Sequence, residues 1–187
     1  MTDPARLAAD LAEAARREED LASLAGAGDL EEYREAAGLV WAANREPGGD
    51  PALFLEDRQL HRIARQFRRA DAMAALYEAE QRAGGLDAAD LSEPAAELAL
   101  GVWSEREDLD RAIGAASTGW RVERMPPVDR TILRIALWEL RHRPGTPVAV
   151  VIAEAVRLAK AYSTERSGAF VNGVLGRLAP AERPGGG

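Results

Sequence analysis

The sequence contains no cysteine. That absence excludes disulfides, thiolate metal sites and a cysteine nucleophile together. Histidine occurs only as His61 and His142, and neither is spaced from carboxylates as metal ligands are, so no metal and no other cofactor is expected. Aromatic residues make up 5 % of the chain while hydrophobic residues make up 47 %, largely alanine and leucine. Strands draw on β-branched and aromatic side chains, so this balance points to helices. No apolar run approaches the roughly 18 residues a membrane span needs, and the N-terminus lacks the charge-then-apolar order of a signal peptide. A cytoplasmic location with no membrane partner is expected.

Charge of one sign is unevenly spread. The net charge is −7 over 187 residues. Residues 1–57 hold 5 Lys+Arg against 14 Asp+Glu, and residues 58–187 hold 19 against 17. The acidity therefore belongs to the N-terminal segment, and the rest is slightly basic.

Glycine and proline fall in clusters and punctuate a series of helices. The first is expected over 4–25, opened by Pro4 and carrying Leu7, Leu11, Leu21 and Leu24 on a thin, alanine-rich apolar side. A second over 29–45 carries Leu30, Tyr33, Ala37, Val40 and Trp41 before Pro47-Gly48-Gly49 breaks it. A long helix over 51–83 follows, then one over 94–117 with Ser92 as its cap and Leu98, Val102, Leu109 and Ile113 inward. Trp120 reads as a core plug at the next junction. Three further helices close the chain: one opened by Pro127 with Ile132, Leu133, Ala136, Leu137 and Leu140 on one face; one capped by Thr146 with Pro147 at its first position; and one carrying Phe170, Val171, Val174, Leu175 and Leu178, closed by Pro180. Glu154, Arg157 and Lys160 fall on a wet face. Gly173 inside the last helix costs about 1 kcal/mol locally, which close approach of a neighbouring helix explains better than contact with a ligand.

The long helix holds the main binding candidate. Arg58, Arg62, Arg65 and Arg69 recur at spacings of four, three and four, which puts them on one side, with Arg68 and His61 flanking. Leu60, Ile63, Ala64, Phe67 and Ala74 lie opposite. No acid interrupts residues 58–70. Such a stripe suits a phosphate backbone, because each neutralised phosphate releases counterions. A solvated face salt-bridged to the acidic N-terminal segment is the alternative.

The strings PPVDRTILRIALWEL, PVAVVIAEAVRLAKAYS and FVNGVLGRL, in that order and at family-like separations, resemble the C-terminal half of the NusB family of bacterial transcription antitermination factors. The resemblance covers roughly residues 65–179, with RADAMAALY at 69–77 similar to the family's opening helix. It implies an all-α fold, a NusB-like bundle of two packed helical sub-bundles, here preceded by an extra N-terminal helical hairpin. Residues 1–50 are then an acidic helical extension, 51–180 an RNA-binding domain and 181–187 a flexible tail, and a poorly ordered or loosely docked extension is the alternative for the first sixty or so residues. The family ordinarily has one more helix between its opening helix and the next, where only LDAADLSEP stands here. The hairpin is expected to fill that place with Val40 and Trp41 as anchors, so that deleting residues 1–50 lowers the melting temperature.

The resemblance also implies a function: a non-enzymatic adaptor that holds boxA-like single-stranded RNA together with NusE, a small-subunit ribosomal protein, in the transcription elongation complex of ribosomal RNA operons. Its RNA-binding candidates are Arg58, Arg62, Arg65, Arg68, Arg69, Arg134, Arg166 and Phe170. Arg166 stands where the family often has an acid, and Phe170 is either core or a stacking platform for a base. For Arg134 a surface salt bridge explains the residue equally well. Tyr77, Asp129 and Arg130 fall on the implied partner surface, Asp129 being alternatively a simple helix-start carboxylate. Two other readings remain. One is a module like the N-terminal domain of rRNA cytosine methyltransferases, whose catalytic part needs the absent cysteine and a Gly-rich loop. The other is an interaction module whose arginines are covered and no longer meet RNA.

Overall fold

The computed structural model describes residues 3–17, 30–45, 47–82, 85–89, 91–117 and 121–184, without the side chains at 30–35, 62 and 64–66. Leu21, Leu24 and Trp120 lie outside them, as do the side chains of Leu30 and Tyr33. The described residues form α-helices and single 3₁₀ turns with no strand: α1 (Pro4–Arg16), α2 (Leu30–Arg45), α3 (Asp57–Arg82), α4 (Glu93–Ala116), α5 (Pro127–His142), α6 (Val148–Tyr162) and α7 (Ser167–Glu182). The fold is all-α, as its composition predicts. The chain divides into two compact units, residues 1–68 and 69–187, and α3 runs through the boundary.

In the first unit the alanine-rich seam is the point. Ala8, Ala12 and Ala15 on α1 and Ala36 and Ala43 on α2 are buried, with Leu7, Leu11 and Val40, and small side chains let helix axes approach closely. Leu53, Leu60 and Ile63 complete this cluster, with Trp41, Leu55 and Phe67 packed against it. The long helix does not start at Pro51, as its sequence predicts. Pro51–Leu53 is a 3₁₀ turn capped by the Asp50 carboxylate, which accepts from the Ala52 amide at 2.9 Å. Asn44 then holds the segment extended: its amide donates to the Leu53 carbonyl at 2.9 Å and its carbonyl accepts from the Leu55 amide at 2.9 Å. The Glu56 amide donates to the Gln59 side chain at 3.0 Å, one half of a capping box, and Leu55 and Leu60 both join the core as in a hydrophobic staple. α3 therefore begins at Asp57.

In the second unit α5 is the central rod. It packs against α4, α6 and α7, and every residue from 131 to 140 is buried, not one face alone. Gly101 is what admits α4 so closely: a Cβ there would stand 2.4 Å from the Trp138 ring. Gly173, by contrast, has no neighbouring helix against it among the described residues, where Arg177 of its own helix lies at 3.9 Å, so the close-approach reading of that glycine is corrected. Arg183 donates to the carbonyls of Glu139, Leu140, Arg143 and Thr146, four acceptors at and just beyond the end of α5. Three caps differ from expectation. Ser92 is the N-cap residue of α4 but its hydroxyl makes no capping bond. Pro147, not Thr146, is the N-cap residue of α6, and its carbonyl accepts from Val150 and Val151. Pro180 lies inside α7, where it forgoes one bond in the last turn without ending the helix.

Candidate nucleic-acid interface

The arginine stripe separates into described and undescribed parts. In the first unit Arg58 and His61 are exposed on α3, away from Leu60 and Ile63, while the side chains of Arg62 and Arg65 lie outside the described residues. Arg68 is half-buried. In the second unit the same helix face is covered, since Arg69 shares it with the buried Ala72, Met73 and Leu76. Arg69 is 5 % exposed, and its Nε donates to Glu139 of α5 at 2.6 Å, with Glu154 of α6 at 3.8 Å. Arg69 is thus a buried ion-pair partner, which corrects its assignment to an exposed stripe.

Arg134 is corrected on the same physical ground. At 6 % exposed it forks onto Asp110 through two bonds of 2.6 Å and also donates to Glu80. Arg130 is half-buried and pairs with Glu80 at 2.9 Å. Burial pushes the Glu80 carboxyl up, but hydrogen bonds from Arg134 and Arg130 outweigh it and hold it below the usual carboxylate range. Burial likewise opposes the charge on Arg134, and its bonds to Asp110 and Glu80 more than restore it. These acids were the missing part of the sequence reading. A signal existed for Glu80, which stands eleven residues after Arg69 on the same face of α3.

Asp129 is also corrected. It is 2 % exposed, at the start of α5, where its Oδ2 accepts from the Ser167 hydroxyl at 2.8 Å. A carboxylate so enclosed ties α5 to the start of α7 and does not present a partner surface. Tyr77, at 37 % exposed, does stand outward. Arg166 is exposed in the turn before α7, Phe170 is half-buried in its first turn, and Lys160 is exposed on α6 with its stem 3.0 Å from where a Cβ on Gly168 would lie. Glu154 and Arg157 are half-buried and paired at 2.8 Å.

A groove of about 620 Å³ opens in the second unit between Glu80 of α3, Trp103, Arg106 and Glu107 of α4, and Arg130 of α5. Arg106 lies 4.7 Å over the Trp103 ring. Among the described residues no group of His, Asp and Glu could hold a metal ion, and no helix is long and apolar enough to cross a membrane.

The NusB family model matches residues 61–180, leaving residues 1–60 outside it. A transcription antitermination protein NusB from Sorangium cellulosum is 55 % identical over 83 residues, which are 44 % of this chain and 59 % of that protein. The protein of that name from Anaeromyxobacter dehalogenans is 43 % identical over 129 residues, covering 62 % of this chain and 90 % of that one. The solved structure "T. maritima NusB, P3121, Form 2" superposes with a TM-score of 0.56 at 32 % identity, covering 62 % and 89 % of the two chains. A chain in "Crystal Structure of a Plectonemic RNA Supercoil" does so with a TM-score of 0.56 at 28 % identity, covering 63 % and 94 %. This chain spans 57–65 % of the length of three of the relatives it matches.

Proposed function

We infer that this chain, which belongs to the NusB family, is a transcription antitermination protein that acts by holding RNA and not by catalysis. The observation that carries this reading is the family match over residues 61–180, with relatives that bear that function in their names. A structurally similar chain whose crystal structure is described by its RNA supports the ligand class. The finer reading is a boxA-like single strand, bound together with a NusE-type ribosomal protein in the elongation complex that transcribes ribosomal RNA operons.

On this reading the phosphate contacts come from arginines. Arg58, Arg62, Arg65 and Arg68 supply them from α3 and Arg166 from the turn before α7, and the ring of Phe170 is the candidate stacking face for a base. Arg69 and Arg134 hold the fold that carries those side chains. Tyr77 is the remaining partner contact, since Arg130 is half-buried and paired with Glu80.

Anisotropy of a labelled boxA-like oligonucleotide, titrated over a salt series with and without NusE, tests this. Binding should weaken steeply with salt, and Arg58→Glu with Arg65→Glu should flatten the slope by about 1.4, at roughly 0.7 per single-strand phosphate contact. Salt-independent binding, or binding untouched by both changes, overturns it.

A further inference from the structure

Resting on the RNA-holding function inferred above, we propose that Ser167 is a positioning residue: its buried hydroxyl sets the turn before α7 so that Arg166 and Phe170 meet the strand together. Arg166 is the N-cap residue of α7, with helical backbone angles (φ −86°, ψ −13°), and its side chain makes no capping bond. A guanidinium has no acceptor with which to cap a helix. Capping therefore passes to its neighbours, and the Arg166 side chain stays exposed, with no ion pair among the described residues.

Ser167 is 2 % exposed, yet its Oγ has four polar neighbours. It donates to Asp129 Oδ2 at 2.8 Å, accepts from the Thr164 amide at 3.2 Å, and lies 2.8 Å from the Thr164 hydroxyl and 3.0 Å from that of Ser163. A hydroxyl has one proton and two lone pairs, so with its proton on the carboxylate it takes a bond from the Thr164 hydroxyl as well. The backbone returns the bond, the Ser167 amide donating to the Thr164 carbonyl at 2.9 Å. Thr164 and Ser167 thus close the turn that carries Arg166.

That turn is tied to the core on both sides. Asp129 is 2 % exposed at the start of α5, and its Oδ1 is buried with no hydrogen-bond partner among the described residues, so the carboxylate leans on Ser167. Gly168 is buried under the stem of Lys160. The Phe170 amide donates to the Arg166 carbonyl at 3.2 Å, so the first turn of α7 fixes the two residues relative to each other. A phosphate contact alone needs only charge density, but a phosphate and a stacked base gripped at once need a fixed spacing. Ordering both side chains before the strand arrives lowers the cost of binding.

Anisotropy titration of the labelled boxA-like oligonucleotide with the full chain, beside a thermal melt of each variant, tests this. Ser167→Ala should weaken binding by roughly tenfold, the cost of ordering two side chains. Thr164→Val, at an exposed position, removes the hydroxyl that meets Ser167 and should weaken binding by about threefold. It decides the matter if Ser167→Ala disturbs folding. In a chain carrying Arg166→Ala and Phe170→Ala, either change should alter affinity by less than about twofold, because nothing is left to position. In the Arg58→Glu chain both losses should remain in full. A merely structural serine would weaken binding equally in every background, and that result overturns the proposal, as does wild-type affinity in both Ser167→Ala and Thr164→Val. A wild-type chain without salt-dependent binding overturns the functional reading itself, and the positioning role with it.

Discussion

Arg58 and Arg69 stand three turns apart on α3 and share a face by spacing, yet Arg58 is exposed and Arg69 is 5 % exposed. Around Arg58 the buried positions are Leu60 and Ile63, so the side of the helix that carries Arg58 is left outward. Around Arg69 they are Ala72, Met73 and Leu76, so the arginine face is the covered one. Periodicity states which side chains stand together; it does not state which side of the helix the rest of the unit covers. A guanidinium under cover must find carboxylates, and Arg69 finds Glu139 as Arg134 finds Asp110 and Glu80. The two arginine populations should therefore respond oppositely to substitution.

The largest expected effect lies at the exposed end of this comparison. Deleting residues 1–50 removes α1 and α2 and bares Leu53, Leu60 and Ile63, at about 1.5–3 kcal/mol per side chain. Hydrogen exchange should then show residues 60–67 losing protection along with a lowered melt. Retained protection there would mean that α3 stands without the hairpin.

At the covered end, Arg69→Met takes from Glu139, itself 1 % exposed, the guanidinium that pairs with it at 2.6 Å, at a cost of about 3–5 kcal/mol. Arg69→Met with Glu139→Leu should recover most of that, since an apolar pair needs no compensation. Urea unfolding of the two variants measures the difference. Equal losses in both would show that packing, not charge, dominates the site.

Most helices were legible from periodicity and punctuation. α2 and α4 fall within a residue of the expected bounds and α5 opens at the expected Pro127, because Pro47, Pro94 and Pro127 act locally. What was illegible depends on distant groups. The break at residues 51–56 rests on Asn44 reaching across nine and eleven residues. The close-approach glycine was assigned to position 173, but it is the Trp138 ring, thirty-seven residues on, that makes it Gly101. Of the candidate site, Arg58, Arg166 and Tyr77 could be placed outward from sequence; Arg69, Arg134 and Asp129 could not, because their covers come from other helices. Gly101→Ala sharpens this point: its Cβ forces Trp138 aside and should cost about 1–3 kcal/mol in thermal unfolding. An unchanged melt would mean that the ring has room to move.

A smaller effect separates the paired arginines by pH. The Glu80 carboxyl is held below its ordinary value in the folded chain, so its pairing contributes stability above the unfolded carboxylate pKa of about 4.3. That contribution is lost as pH falls through the lower folded value. Stability against urea should decline from about pH 4.3 downward, and Glu80→Gln should flatten that part of the profile. A profile for Glu80→Gln parallel to that of the wild type would place the acid sensitivity elsewhere.

The smallest change in stability, and the sharpest separation of the two populations, is expected at Arg58. An exposed surface position tolerates charge reversal within about 0.5 kcal/mol, so Arg58→Glu should melt with the wild type. Its effect should appear in RNA binding, with a salt slope shallower by about 0.7 for the phosphate contact removed. Arg69→Met should do the reverse, weakening the fold while leaving the salt slope of its folded fraction unchanged. If Arg58→Glu instead lowers the melt and spares the slope, the exposed end of α3 is structural in the same sense as the buried one, and the distinction between the two arginines fails.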